Sequence, residues 1–375
     1  MKFYLGLILT AFSFFSFSIC ANPKMLIFCD VWNSIGGTEE VINQISSRLI
    51  LQDIQVKKVV GKDFLEFYLG LPDPFGLTKR VGELIQDYKP DKILVVSVGL
   101  LANAVSVYCK ENQIPFSIFY STKVPEFNHA DRRIPLWVSY SYLDRYLPRA
   151  TNVFVPTHSV AKDLDRIHLN HVLVWPHGAD TVRFTIYDEK KKAEFVAKSL
   201  LAGKQRPFYL YVGRLCKSKN IDAFLNLSLP GTKILLGPAK VGYDMENLKQ
   251  KYPNVVFPGM QTGSELKGYF ASSDVFVFPS KNDTFGLVQL EALASGLPVV
   301  AFDVTGPRDV VPESSGVSYL ASDQAAFQRL AIQAWEDKQS GAVTAVQCRA
   351  FAQKYSWDPA VTKLIEFIPT IHWEK

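Results

Sequence analysis

Asp283 and Glu291 stand with seven residues between them in the stretch FVFPSKNDTFGLVQLEALASGLPVV, residues 276–300. The apolar run that ends at Phe278 suits a buried parallel strand. Pro279, Ser280, Lys281 and Asn282 then make a turn. A helical pattern follows from Gly286 to about Ala294, with Gly296 as its stop and Pro298 beyond. Val299, Val300 and Ala301 begin another strand. The loop of such a strand–loop–helix–strand unit gathers backbone N–H groups and the positive helix end at one point. A phosphate or a sugar hydroxyl fits there. One acid lies in the loop and the other about a turn into the helix, so both can face the crevice at the strands' carboxyl ends. Taken alone, the same two residues also read as an N-capping Asp and a surface helix Glu.

The spacing resembles the E-x7-E donor signature of retaining GT-B glycosyltransferases of family 4. The wording DTFGLVQLEALASGLPVVAFDVTGPRDVV resembles their sulfoquinovosyl-, mannosyl- and lipid-glycosyltransferase branch. The likeness runs from about Met25 to the C-terminus and is densest between Tyr209 and Val311. Asp283 stands where the first Glu is usual, one methylene shorter. The resemblance implies that Glu291 holds the ribose hydroxyls of a nucleotide. It implies that Asp283 and the amides of Phe285, Gly286 and Leu287 hold the donor sugar. Residues 213–220, GRLCKSKN, resemble the family's GRLxxxKG segment, with Asn220 where Gly is usual. There the resemblance implies that Arg214 and Lys219 neutralise the donor diphosphate as the sugar–phosphate bond breaks, a fixed electrostatic clamp. Residues 120–127 resemble the family's YHTxFPEY, whose His approaches the donor sugar, and Ser121 occupies that position here. A serine hydroxyl can hydrogen-bond a sugar but cannot carry imidazole chemistry. His129, eight residues on, is a candidate replacement. Residues 176–180, PHGAD, resemble the family's HG-V-D turn near the interdomain crossing, an architectural part.

The other elements must position these groups. Residues 25–31 read as a buried strand running into Asn33, Ser34, Ile35, Gly36 and Gly37, with a helix from Thr38, which can cap it. Gly36 and Gly37 let the backbone approach a ligand closely. In the family this loop faces the donor diphosphate and the acceptor. Residues 92–98 and 116–120 read as further buried strands around a helix over 101–111. Residues 134–147 carry Trp137, Tyr140, Tyr142 and Tyr146, bordered by Arg132, Arg133, Arg145 and Arg149. They read as an interior helix packed through its aromatics, or as a face towards a membrane or lipid acceptor. Asp163 and Asp165 sit mid-helix at i and i+2, on different faces, which makes them solvated helix charges rather than metal ligands. In the C-terminal half, 209–212 and 234–237 read as strands, 265–271 as a helix, and Thr305–Asp309 as a loop beside the cleft. Ser356 caps a last helix that family members pack back across the N-terminal domain.

Strands alternating with helices in both halves indicate an α/β architecture: GT-B, two doubly wound, Rossmann-like parallel sheets facing a cleft. The expected division is a signal peptide or membrane anchor over 1–23 and an acceptor-side domain over 24–185. A linker covers 186–205, a nucleotide-sugar domain 206–350, and the returning helix 351–375. A chain of 375 residues with 48% hydrophobic and 21% charged residues supports two substantial cores. The formal charge of +5 without long basic runs does not point to nucleic acid. The five cysteines are scattered, without zinc or disulfide spacing, and read as incidental thiols. Residues 1–21 carry one Lys and then an apolar stretch that fits an export signal or a short anchor. With translation from Met25 the protein would be cytoplasmic. The resulting expectation is a hexosyltransferase that moves a hexose from a nucleotide diphosphate-sugar to a lipid or glycan hydroxyl with retention, using no cofactor or obligatory metal. A catalytically impaired nucleotide-sugar binder is the alternative, and a UDP-sugar epimerase a weaker one.

Overall fold

The computed structural model describes residues 22–30, 36–61, 74–239 and 244–373. The apolar leader, Asn33–Ile35 of the glycine-rich loop and part of the loop after Gly237 fall outside them. The N-terminal sheet contains β1 (Lys24–Cys29), β2 (Gln55–Val60), β3 (Lys92–Val96), β4 (Ser117–Phe119), β5 (Asn152–Val155) and β6 (Val172–Val174). Its order is β2-β1-β3-β4-β5-β6, all parallel. The C-terminal sheet contains β7 (Phe208–Val212), β8 (Thr232–Leu236), β9 (Val256–Gly259), β10 (Val275–Phe278), β11 (Val299–Phe302) and β12 (Ser318–Ala321). Its order is β12-β11-β10-β7-β8-β9, again parallel.

A parallel strand covered by helices on both faces needs apolar residues at every position rather than at alternate ones. The sequence supplies them. From Met25 to Cys29 no residue is more than 3% exposed, and the same holds for Val275–Phe278 and Val299–Phe302. Each Val, Leu, Ile, Met or Phe side chain among them contributes about 1.5–3 kcal/mol of burial free energy. The chain order fixes where a crevice must open. The direction of winding reverses between β1 and β3 in one sheet and between β7 and β10 in the other. Loops leaving those strands diverge, and ligands bind in the gap.

The two halves are tied together by the last helix, Trp357–Phe367. Trp357, Val361 and Leu364 pack with Met25, Ile27, Phe119 and Trp175 of the N-terminal domain, and the indole N–H of Trp175 donates to Ala360 O at 2.7 Å. Ser356 precedes this helix but makes no side-chain cap bond; its backbone forms a bridge with Ala179 instead. Thr38 likewise does not cap its helix, which spans Gly37–Leu51 and begins one residue earlier, after an extended Gly36.

Helix Leu136–Tyr146 is not the interior helix that its aromatics suggest. Ser139, Leu143 and Tyr146 are buried, and Tyr140 OH donates to Glu126 Oε1 at 2.7 Å. Leu136, Trp137, Val138 and Tyr142 face outward, Trp137 with 71% of its surface exposed. Exposed Arg132, Arg133 and Arg145 lie around them. Asp163 differs too: it pairs with Lys123 at 2.6 Å, with only 12% of the Lys123 side chain exposed. That pair pins the segment leading from Ser121 into helix Val124–Arg132. Among the described residues no helix is long and apolar enough to cross a membrane. The four described cysteines, Cys29, Cys109, Cys216 and Cys348, are buried.

Candidate active site

The loop after β10 and the loop after β7 leave the C-terminal sheet at its winding reversal, which brings Asp283 against Lys219. Lys219 Nζ lies 2.5 Å from Asp283 Oδ1, and the two side chains keep 20% and 17% of their exposure. Asp283 Oδ2 is buried without a hydrogen-bond partner among the described residues. A buried carboxylate oxygen with no donor is costly, and it marks a place where a ligand hydroxyl fits. Asp283 does not cap the following helix. That role falls to Gly286, whose φ of 81° is left-handed and favours glycine.

Helix Leu287–Ala294 therefore begins at the cleft with its free amides directed there. The N–H groups of Phe285, Gly286 and Leu287 find no acceptor among the described residues. Gln289, fully buried, donates from Nε2 to Phe285 O at 3.1 Å and so braces the loop from behind. Gly306 permits the next loop to back the first, since a Cβ there would stand 2.2 Å from Asp283 O.

Asn220 ends the turn after β7 with φ 52° and ψ 36°. Asparagine is among the few non-glycine residues that tolerate this conformation, so its substitution for the usual Gly preserves the turn. Its Nδ2 donates to Pro279 O at 3.0 Å, which ties the β7 loop to the β10 loop. Arg214 is exposed on the same loop, and no described residue pairs with its guanidinium. Arg308 is a structural cation paired with Asp303.

Glu291 lies one helical turn beyond Leu287, half-buried where the domains meet. Burial chiefly, then the neighbouring charges of Glu40 and Asp180, push its carboxyl up to about 8, against the opposing pull of Arg183. Glu40 belongs to the first turn of helix Gly37–Leu51 and faces Arg183 at 3.7 Å. Gln44 donates to Glu40 Oε1 at 2.8 Å. The glycine pair Gly36–Gly37 thus opens a helix whose first turn borders Glu291. A Cβ on Gly37 would meet nothing within 4 Å.

Ser121 approaches from the opposite domain. Its Oγ is buried without a partner among the described residues, while its carbonyl accepts from Thr284 Oγ1 at 2.7 Å. His129 is exposed, with Nδ1 3.2 Å from Ile134 O, away from this buried set. His177 is the imidazole that the site does contain. Its ring sits 4.5 Å from that of Phe285 and 5.9 Å from that of Trp357. Burial lowers its pKa to about 3, so it is neutral.

Two further residues carry no motif signal. Asp30, at the end of β1, accepts from the amides of Leu101 and Ala102 at 2.7 and 3.0 Å and so caps the helix after β3. Asp309 accepts from the amide and hydroxyl of Ser159, at 3.2 and 2.8 Å, across the domain boundary.

Residues 206–337 match the family model described as Glycosyl transferases group 1. The chain is 28% identical over 344 residues to sulfoquinovosyl transferase SQD2 of Arabidopsis thaliana, covering 87% of this chain and 66% of the relative. It is 30% identical over 259 residues to a GDP-mannose-dependent alpha-mannosyltransferase of Mycobacterium tuberculosis, covering 66% and 64%. The chain thus spans just under two thirds of the length of these relatives. Among solved structures, sucrose-phosphate synthase of Thermosynechococcus elongatus superposes with a TM-score of 0.73 at 19% identity, over 92% of this chain and 98% of that one. Anabaena HepE, solved with UDP-glucose, superposes at 0.69 and 18% identity, over 91% and 98%. Residues 206–337 are therefore a glycosyl transferases group 1 domain, and the whole chain has the GT-B fold of its structural neighbours.

Proposed function

We propose that the protein is a retaining glycosyltransferase that moves a hexose from a nucleotide diphosphate-sugar to a lipid or glycan hydroxyl. The observation that carries this reading is the partly buried Lys219–Asp283 pair at the β7/β10 reversal, beside a row of free helix-start amides and with Glu291 one turn on. Glu291 accepts from the ribose hydroxyls. The orphaned Asp283 Oδ2 and the amides of Phe285, Gly286 and Leu287 orient the sugar, with Ser121 Oγ closing over it from the facing domain. Lys219 and Arg214 stand where the diphosphate gains charge, and the glycine pair Gly36–Gly37 gives its oxygens and the acceptor a close backbone surface.

As the bond from the anomeric carbon to the diphosphate breaks, its electron pair passes to the leaving oxygen, which these cations stabilise. The acceptor oxygen bonds to the same face of that carbon, and its proton passes to the departing phosphate oxygen. This route needs neither a protein nucleophile nor a metal.

The test is incubation with UDP-, GDP- and ADP-sugars, with and without EDTA and a lipid mixture, following free nucleoside diphosphate. Release from one donor, insensitive to EDTA and lost in Glu291→Ala, supports the transferase. The serine at position 121 favours a second reading, a donor-binding protein without turnover. Binding without release under every acceptor would select it, and Ser121→His would then be the informative variant.

The exposed Leu136, Trp137, Val138 and Tyr142 among Arg132, Arg133 and Arg145 suit an anionic lipid surface, where an apolar face inserts and the cations meet head groups. On this reading the face brings a lipid acceptor near the protein, whose location is then exported or membrane-associated. Trp137→Ala should weaken cosedimentation with vesicles containing anionic lipid by about tenfold, because it removes the largest inserting side chain. Equal cosedimentation of wild type and variant would reject the membrane role of this face.

A further inference from the structure

Three consecutive residues of the β10 loop are held by different halves of the molecule. Asp283 is bound to Lys219 in its own domain. Thr284, only 8% exposed, reaches the other way. Its hydroxyl donates to Ser121 O at 2.7 Å, and its carbonyl accepts from Thr157 Oγ1 at 3.4 Å. Thr157 is itself the cap of helix His158–Asp163 in the N-terminal domain. Phe285 packs its ring on His177, inside an aromatic cluster that includes Phe119, Trp175 and Trp357. Leu287, two residues later, packs against both the N-terminal and the C-terminal cores.

The loop that presents Asp283 is therefore shaped as much by the facing domain as by the sheet from which it emerges. Separating the domains breaks the Thr284–Ser121 bond and withdraws Phe285 from His177. With those anchors gone, Asp283 and the amides of residues 285–287 lose their fixed relation to Lys219. On the donor-site reading given above, we propose that Thr284 is a positioning residue: it makes the assembled Asp283–Lys219 geometry conditional on domain closure, so that bond cleavage waits until the acceptor-side domain is in place. The Ser121 side chain is dispensable for this coupling, because the bond is made to its backbone carbonyl.

The test compares the full chain with Thr284→Val, which keeps the shape and removes the donor, and with Thr284→Ser, which keeps the donor. Losing one buried hydrogen bond across the boundary should lower the ratio of closed to open molecules by about tenfold. Hydrogen exchange in peptides covering residues 119–124 and 283–291 should quicken by a similar factor in Thr284→Val, and the radius of gyration from solution scattering should rise. Thr284→Ser should restore both. Exchange in β7 and β11 should be unchanged in all three proteins, which separates opening from global destabilisation. The proposal is overturned if Thr284→Val exchanges and scatters as the wild type does, or if Thr284→Ser is as impaired as Thr284→Val. UDP, GDP and ADP alone serve as binding probes. Failure of the wild type to bind any of the three would overturn the donor-site reading, and the exchange comparison would still decide the closure device.

Discussion

Lys219→Ala is expected to lower the rate of donor cleavage by about two to three orders of magnitude, the loss found when one fixed charge-stabilising donor is removed from a transition state. The charge on the leaving diphosphate is greatest as the sugar–phosphate bond parts, so the effect should fall on kcat more than on donor KM. The substitution also leaves Asp283 half-enclosed without its counter-ion, at a stability cost of about 1–3 kcal/mol. The two consequences can be separated with Asp283→Ala and the double variant. Removing both partners should recover most of the lost stability in urea unfolding, because no uncompensated charge remains, while activity stays lost. A double variant as active as the wild type would show that the pair only braces the loop. A Lys219→Ala protein that keeps kcat and raises only KM would remove Lys219 from the bond-breaking step.

The strands were legible because burial on both faces demands unbroken apolar runs, and Met25–Cys29, Phe208–Val212 and Val275–Phe278 supply them. The loop that starts at Asp283 was legible for a related reason. A strand, a turn, a left-handed Gly286 and a capped helix are all local, so their residues stand next to one another in the chain. What joins the domains was not legible. Thr284 and Ser121 are 163 residues apart, and neither a threonine nor a backbone carbonyl carries a pattern that announces its partner. Asp163 illustrates the same limit at shorter range. Its helical position argued for solvent, but the chain folds Lys123 over it. In helix Leu136–Tyr146 apolar residues occur on more than one face, so periodicity could not choose between packing and exposure. Tyr146 points inward and Trp137 outward.

The departures from the family wording have different physical weights. Asn220 costs the turn little, since it adopts the left-handed conformation that the usual Gly would adopt, and it adds a bond to Pro279 O. Asp283 is one methylene shorter than Glu, yet its Oδ1 still reaches Lys219 and leaves Oδ2 for a ligand. Ser121 is the departure that removes chemistry. The neutral His177 cannot replace the missing imidazole as a cation, because its ring is enclosed by Phe119, Trp175, Phe285 and Trp357. On the proposed function, cation duty at the diphosphate therefore rests on Lys219 and Arg214.

Glu291 should make nucleotide binding release a proton. Its carboxyl is raised to about 8, from an ordinary 4.5, so at pH 7 it is largely protonated. Holding two ribose hydroxyls as donors requires the carboxylate, which accepts through both oxygens. Binding at pH 7 should then expel about 0.9 proton per nucleotide, and affinity should rise about tenfold per pH unit below 8 before levelling above it. Calorimetric titration with UDP or GDP in buffers of different ionisation enthalpy measures this directly. The sign for stability is the reverse. A carboxyl with a raised pKa holds a proton in the folded chain that the unfolded chain has given up, so the protein loses stability as pH rises from about 4.5 to 8. Glu291→Gln should flatten that slope, eliminate the proton release and weaken nucleotide binding, because an amide offers one acceptor oxygen in place of two. Buffer-independent enthalpies in the wild type, or an unchanged affinity profile in Glu291→Gln, would remove Glu291 from the ribose contact.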